Sequence, residues 1–264
     1  MGDQIIDLHG WLQTPCGQYL LAWENQRAQA LVADIFGYHA LQLGFPELDA
    51  LEANRMPHRW LATEDQSPVP GLAWARLALQ CDFTALPFAS NSLDLLVLPH
   101  TLEFSADPHA TLREVERVLV PEGRVLVFGL NPTGLWALRQ WRARLAQRVG
   151  WGSLFLPPEG EFIGARRLQD WLRLLSFDLE HSEFGCFVPA VHTQAWVQRW
   201  QWLDRYGPRL WPVLGSAYCM VAVKRVRGIH LLGPAWKKPR QSVRQAIPVA
   251  RHAPKLGADR INKG

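Results

Sequence analysis

The sequence predicts an α/β fold in which a seven-stranded, mostly parallel sheet is covered by helices on both faces. The 264 residues suit one domain with a tail, and 48% of them are hydrophobic, which is enough for a sizeable core. Short apolar runs of strand length alternate with helical segments. Residues 92–130 have the pattern of a strand, a helix and a second strand joined by short turns, which is the unit of a right-handed parallel crossover.

Seven segments have the length and the apolar pattern of β-strands. They are apolar or alternating runs, and several end in a glycine, a proline or an acid, which are residues typical of turns. The predicted strands cover residues 39–44, 58–63, 75–82, 92–98, 124–130, 179–187 and 217–225.

Helical segments lie between these strands. A helix is predicted over residues 17–36, where leucine, tryptophan and isoleucine recur at spacings of three and four and Gly37 follows. Asp107 and Pro108 suit the N-cap and first position of a helix that runs to about Leu119. Further helices are predicted near 47–54, over 134–149 and over 164–177, followed by a partly helical, Trp-rich insertion at 189–214.

The charge is divided unevenly along the chain. From Lys224 to Gly264 there are eleven Lys or Arg and one acid, so that this end carries +10. Residues 1–223 hold 17 basic and 23 acidic side chains, which gives −6. We therefore predict one α/β domain over 1–227 and a basic, flexible tail over 228–264, for which a solvated tail is the default interpretation.

The cysteines and the apolar runs limit the classes of protein. Four scattered cysteines show neither metal-ligand spacing nor a disulfide framework, and we predict no metal site. No apolar run approaches the ~20 residues that span a bilayer, so we predict no transmembrane segment. The first ten residues lack a basic segment followed by an apolar one, as a signal peptide would have. A cytoplasmic location is the resulting prediction.

Tryptophan is abundant, with thirteen in the chain and eight between Trp136 and Trp211. The favoured interpretation is that these rings pack helices onto the sheet, because amphipathic helices usually cover cores. Two alternatives are a lid over an aromatic or lipid-like substrate and a peripheral membrane contact. The second is supported by neighbouring basic residues, which are Arg139, Arg142, Arg144 and Arg148.

Four predicted strands end in residues that suit a ligand site, and ligands of open α/β sheets bind at the carboxyl ends of strands. These ends are Leu43-Gly44, Glu64-Asp65, Asp82-Phe83 and Pro99-His100. A glycine lets backbone approach a ligand, and a carboxylate about twenty residues later suits the hydroxyls of a ribose. Simpler interpretations stay open: a glycine ending a strand, a solvated acid, an Asx turn and a buried histidine.

The stretch from 82 to 131 resembles the type 11 methyltransferase domain family, in the small-molecule branch of class I S-adenosylmethionine-dependent methyltransferases. The resemblance is strong over about 75–131 and weak over 38–65. The residues that carry it are Asp82, Leu86, Pro87, Phe88, Ser92, Asp94 and the segment REVERVLVPEG at 113–123.

The resemblance implies a Rossmann-like sheet and S-adenosyl-L-methionine as the cofactor. It implies that Asp82 accepts a hydrogen bond from the adenine amino group, with the side chain of Phe83 on the ring. It also implies that His100, with Glu103 three residues later, lines the methionine end of the cofactor and the mouth for the substrate. A surface cap or ion pair is the simpler interpretation of Glu103.

The predicted function is methyl transfer to a small molecule, with a preference for an aromatic or hydrophobic acceptor, and His100 is the candidate catalytic base. The main alternative is a non-catalytic methyltransferase-like binding or regulatory protein. It rests on Gly44, which is followed by Phe45 and Pro46 where the family usually has several glycines. A nucleic-acid enzyme guided by the basic tail is a third hypothesis. Nucleic acid is not favoured as a partner, because Trp236 is the one aromatic residue after Lys224.

Overall fold

The structure is a computed structural model that describes residues 8–64, 78–147, 155–156, 160–191 and 193–225. The strands are β1 (His39–Leu43), β2 (His58–Thr63), β3 (Ala78–Gln80), β4 (Leu93–Pro99), β5 (Leu119–Leu130), β6 (Phe177–Gly185) and β7 (Ala217–Lys224). The helices are α1 (Leu8–Leu12), α2 (Pro15–Val32), α3 (Thr101–Phe104), α4 (Pro108–Val118), α5 (Leu135–Gln147), α6 (Ala165–Leu174), α7 (Gln194–Trp200) and α8 (Trp202–Leu210). A 3-10 helix at Pro212–Leu214 follows α8.

The seven strands form one sheet in the order β3-β2-β1-β4-β5-β7-β6. The pairs from β3 to β5 are parallel, whereas β7 runs antiparallel to both β5 and β6. The predicted seven-stranded, mostly parallel sheet is therefore confirmed. Strands β2 and β3 lie on one side of β1, and β4 and all later strands lie on the other side. The topological switch point of the sheet is therefore between β1 and β4.

Two apolar clusters, one on each face of the sheet, form the core. Alternate residues of β4 point to opposite faces, so that Leu95 and Val97 join one cluster while Leu96 and Leu98 join the other. The first face is covered by α2, α5 and α7, and the second by α4 and α6. Helices therefore lie on both faces, as the sequence predicts.

Local signals placed some helix ends correctly and missed others. The Asp107 side chain accepts from the N–H of Ala110 at 2.9 Å, and Pro108 opens α4 as predicted. Helix α2 begins two residues earlier than predicted because the Thr14 hydroxyl caps it by accepting from the N–H of Gly17. It ends at Val32, before the predicted end at residue 36.

The short helix predicted near 47–54 is absent, and this segment consists of turns. The side chain of Gln42 is buried there, and its amide donates to the carbonyls of Gly44, Phe45 and Leu48 at 2.8–3.1 Å. Its carbonyl accepts from the N–H of Ala50 at 3.1 Å. These bonds satisfy the backbone groups that a helix would have paired internally.

The Trp-rich insertion is helical, as predicted, but the packing interpretation of its rings is only partly right. Trp136 on α5 is buried in the core. Four others are about half exposed or more, namely Trp141, Trp196, Trp202 and Trp211. The predicted tail at 228–264 and the candidate residue Asp65 lie outside the described residues.

Candidate cofactor and active site

The ends of β1 and β4 meet at the switch point and are held together by hydrogen bonds. The hydroxyl of Thr101, at the start of α3, donates to the backbone carbonyl of Leu43 at 2.5 Å. His100 follows Pro99 in the left-handed region at φ 55°, and its N–H donates to the carbonyl of Phe128 at 3.0 Å. The candidate residues Leu43, Pro99 and His100 are therefore neighbours in the fold.

The turn after β1 begins at Gly44, which has a φ of 69° and donates its N–H to the carbonyl of Ala62 at 2.7 Å. A Cβ at Gly44 would lie 3.5 Å from the ring of Phe83, which is ordinary contact. Glycine is favoured here by the left-handed backbone rather than by crowding. Phe45 also has a positive φ, of 51°, and its buried ring packs on the His100 ring with centroids 5.0 Å apart.

The ends of β2 and β3 form an open pocket of about 470 Å³ that is lined by Glu64, Gln80, Cys81 and Asp82. The exposed Glu64 carboxylate accepts from the N–H of Phe83 at 3.3 Å. The ring of Phe83 is buried in the core cluster that also contains Leu43. The structure thus brings Glu64, Asp82 and Phe83 to one edge of the sheet, beside Gly44.

Asp82 forms the Asx turn that is its simpler interpretation. One carboxylate oxygen accepts from both the N–H and the hydroxyl of Thr84, each at 2.7 Å. These hydrogen bonds lower the pKa of the Asp82 carboxyl, which is fully exposed. The turn therefore fixes an ionised carboxylate at the rim of the open pocket, which is compatible with a ligand contact.

At the switch point, His100 bridges two buried glutamates. Its Nδ1 donates to Glu103 at 2.8 Å, and its Nε2 donates to Glu24 at 2.7 Å. The other oxygen of Glu103 accepts from the N–H of Leu130 at 2.6 Å. His100 is 2% exposed, Glu24 0% and Glu103 3%. The surface interpretation of Glu103 is therefore wrong, because this side chain is part of a buried bridge.

The bridge holds His100 in its charged form. Burial alone would lower the pKa of His100, but the charge of Glu24 and the hydrogen bonds to Glu103 and Glu24 raise it to about 10. Burial raises the pKa of Glu103, against the opposing effect of its bond to His100. The bridge sets two buried carboxyl groups against one imidazolium in an apolar setting, an arrangement in which a further cation would be compensated.

Glu24 was missed at the sequence level. It lies on the same face of α2 as the buried residues Leu20 and Ala28, four positions away from each. An acid on the apolar face of a helix is the signal that could have found it. Its second oxygen, Oε2, is buried and has no hydrogen-bond partner within the described part of the chain, so that it is free to accept from a ligand.

The two halves of the site offer different groups to S-adenosylmethionine. The open pocket beside β2 and β3 offers exposed carboxylates, which suit a ribose and an adenine amino group. The half beside β1 and β4 holds the buried side chains of Phe45, His100 and Glu24. The residues present fit the nucleoside half of the cofactor, and the orphaned oxygen of Glu24 suits a cation of its amino-acid half.

Residues 58–127 match the family model described as a methyltransferase domain. The matched range includes the segment after β3, so the predicted resemblance to class I methyltransferases is confirmed over this part of the chain. S-adenosylmethionine is the cofactor of that family. The turn at Gly44 lies outside the matched range, as its weak resemblance predicts.

Relatives agree with this assignment without adding a substrate. The chain is 29% identical over 251 residues to the uncharacterized protein YafS of Escherichia coli K12, covering 93% of this chain and 92% of that protein. It is 34% identical to the malonyl-[acyl-carrier protein] O-methyltransferase of Laribacter hongkongensis over 110 residues, which are 40% of this chain and 37% of that protein.

Solved structures share the fold. A methyltransferase of Haloferax volcanii, in a complex with the Trm112 methyltransferase activator, superimposes with a TM-score of 0.58 at 17% identity. The superposition covers 85% of this chain and 98% of that one. At this identity the likeness establishes the architecture of the sheet and its helices.

The described residues offer neither a cluster of metal ligands nor a membrane-spanning helix. No group of three or more His, Cys, Asp or Glu side chains there could hold a metal ion. Among the helices of this part of the chain, none is both long enough and apolar enough to cross a bilayer.

Proposed function

We propose that the protein is an S-adenosylmethionine-dependent methyltransferase that acts on a small molecule. The observation that supports this most directly is the open pocket at the ends of β2 and β3, where Glu64 and Asp82 stand beside the turn at Gly44. When bound, the cofactor supplies a methyl group on a sulfonium that an acceptor displaces in line. A cytoplasmic location remains a prediction.

Each residue has a proposed role in holding the cofactor. Glu64 accepts hydrogen bonds from the ribose, and Asp82 accepts from the adenine amino group. Asp65 is a second acid for the ribose. The backbone comes close to the ligand at Leu43, Gly44 and Pro99. The ring of Phe83 packs beside the turn at Gly44. In this scheme a positive φ at Gly44 and the Asx turn of Asp82 preorganise the site.

We assign Glu24 to the cationic end of the cofactor. Its buried, unpartnered oxygen and the two carboxyl groups that share one imidazolium both suit an ammonium or a sulfonium. His100, which stays protonated at neutral pH, orients Glu24 and lies where the methionine end would come. An imidazolium has no lone pair, so that a base role for His100 requires prior loss of its proton.

Calorimetric titration with S-adenosylmethionine and S-adenosylhomocysteine tests this proposal. Asp82→Asn keeps the oxygen that accepts from Thr84, and thereby the turn, but removes the charge. We expect it to weaken binding about tenfold or more, since a hydrogen bond to a charged group contributes roughly 1.5–3 kcal/mol. S-adenosylmethionine should bind more tightly than S-adenosylhomocysteine, because both carry an ammonium group and only the former adds a sulfonium charge near Glu24.

A matched control is Asp178→Asn, because Asp178 is an exposed acid on β6, at the opposite edge of the sheet. It should bind both ligands like the native protein. If Asp82→Asn and Asp178→Asn bind equally well, the proposed nucleoside site is wrong. The acceptor class is tested separately, by methyl transfer from labelled cofactor into the low-molecular-weight fraction of a cell extract. Label in RNA or protein instead would contradict a small-molecule acceptor.

A second candidate function is a non-catalytic binding or regulatory protein on the same fold. It is supported by Phe45, whose ring packs on His100 and closes the half of the site beside β1 and β4. The same titration distinguishes the two: no heat of binding at millimolar ligand favours the non-catalytic protein, and micromolar binding favours the enzyme.

A further inference from the structure

The segment from 193 to 214 presents an unusual number of apolar side chains to solvent. It comprises α7, α8 and the 3-10 helix, and we call its exposed side the α7–α8 patch. Trp202 and Tyr206 lie one turn apart with ring centroids separated by 6.2 Å, and they form the middle of the patch. Its main apolar members are Trp196, Trp202, Tyr206, Leu210, Trp211 and Val213.

The opposite side of α8 is fixed to the body of the domain. The carboxylate of Asp204 accepts from the hydroxyl of Tyr19 at 2.5 and 2.6 Å and from the N–H of Phe187 at 3.0 Å. Gly207 lies against the ring of Phe187, where a Cβ would come within 2.5 Å. Since these contacts determine which face of α8 points inward, its aromatic side is held outward.

The patch is positively charged although the domain around it is acidic. Arg199, Arg205 and Arg209 are exposed, and none has a carboxylate partner in the part of the chain that the structure describes. Asp204 is the one acid in the sequence of 193–214, and its carboxylate is bonded inward. Residues 1–223 as a whole carry −6, whereas the segment 193–214 carries +2, from three arginines and one acid.

We propose that the α7–α8 patch binds the protein to the surface of an anionic lipid bilayer. Tryptophan, tyrosine and aliphatic side chains beside arginine are the composition of helices that lie in the headgroup layer. Arginines add attraction to anionic lipids. No described helix can span a bilayer, so the contact is peripheral.

Other occupants fit the charges less well. An isologous interface with a second copy would place the same three arginines against one another, which is repulsive. Nucleic acid would engage the arginines through its phosphates but would leave the aliphatic side chains of Leu210 and Val213 exposed. A bilayer accommodates both the aliphatic and the cationic side chains.

Cosedimentation of the full chain with lipid vesicles tests this proposal. We expect binding to phosphatidylcholine vesicles that contain phosphatidylglycerol, and much weaker binding to pure phosphatidylcholine. Replacing Arg199, Arg205 and Arg209 by glutamine should weaken binding to anionic vesicles about a hundredfold, from roughly fivefold for each arginine. The double variant Trp202→Ala, Trp211→Ala should weaken it about tenfold or more, because the aromatic anchors are lost.

The matched control is Trp141→Ala, because Trp141 is also exposed but lies on α5. It should bind vesicles like the native protein. Circular dichroism checks that the variants, all at exposed positions, remain folded. Absence of binding to anionic vesicles would overturn the proposal, as would equal binding by all variants, which would assign the contact to another surface.

Two further outcomes would also overturn it. If the native chain dimerises in sedimentation equilibrium and the tryptophan variant is a monomer, the patch belongs to a second copy. If RNA or an acidic protein binds the native chain more tightly than vesicles do, displaces it from them, and does not bind the patch variants, the patch serves that partner.

Discussion

Replacing Glu24 by glutamine should change how the stability of the fold depends on pH. Glutamine has nearly the volume of glutamate and keeps an oxygen for the 2.7 Å hydrogen bond to His100. It removes the charge of Glu24, which is the largest of the effects that raise the pKa of His100. The folded-state pKa of His100 should therefore be lower in the variant.

The size of the effect follows from linkage. The pKa of His100 is raised from 6.5 to about 10, so the bridge contributes stability that is fully present below pH 6.5 and is lost as the pH rises through about 10. For one proton this predicts a loss of roughly 2–3 kcal/mol between pH 7 and pH 9 in the native protein. The variant, whose histidine releases its proton earlier, should lose clearly less over this interval.

Urea unfolding at pH 7, 8 and 9 measures this difference, and NMR titration of the ring gives the pKa of His100 directly. The cysteines, whose pKa values are raised by burial, also contribute near pH 9. The charge of Glu24 adds to the effect of burial at Cys186 and Cys219, so their contribution also changes in the variant, and the NMR titration separates the part that belongs to His100. Parallel loss of stability in the two proteins, or a native His100 that titrates below pH 8, would refute the charged bridge.

Two other substitutions test the packing around the site. Gln42→Leu should destabilise the fold by about 3 kcal/mol or more in urea unfolding, because three loop carbonyls and the N–H of Ala50 lose their partner. Gln29→Leu, at a partly exposed amide on α2, should cost under about 1 kcal/mol, and equal losses would contradict the role given to Gln42. Gly185→Ala should lower stability by about 1–3 kcal/mol, since its Cβ would come within 2.1 Å of the Trp23 ring. Gly164→Ala, which meets Pro132 at 3.5 Å, should be nearly neutral in the same assay.

The sheet and the strand ends could be predicted because their signals are local. An apolar run followed by an acid or a glycine identifies a strand end within a few residues, and parallel topology then brings such ends to one edge. Asp82, Glu64 and Gly44 were found in this way. The Asx turn at Asp82 was equally visible, since the acid and Thr84 are two residues apart.

The buried bridge could not be predicted in the same way because it joins distant segments. Glu24 and His100 are 76 residues apart, and their contact depends on which face of α2 covers the switch point. The exposed tryptophans were missed for a related reason. Periodicity shows that a helix is amphipathic, but Asp204, through its bond to Tyr19, determines which side of α8 is inside.

These long-range contacts explain how a methyltransferase fold can carry an atypical turn after its first strand. Family members use glycines there to admit backbone to the ligand, whereas this chain places the Phe45 ring against His100. A ligand at this half of the site must therefore displace the contact between Phe45 and His100. Its apparent affinity is the affinity of the open form multiplied by the fraction of molecules that are open. Under the role proposed for Glu24, a cationic ligand would offset that loss of affinity, because its charge would lie beside a buried carboxyl group that has an unpartnered oxygen. The proposal therefore predicts that the added charge of a sulfonium strengthens binding at this half of the site.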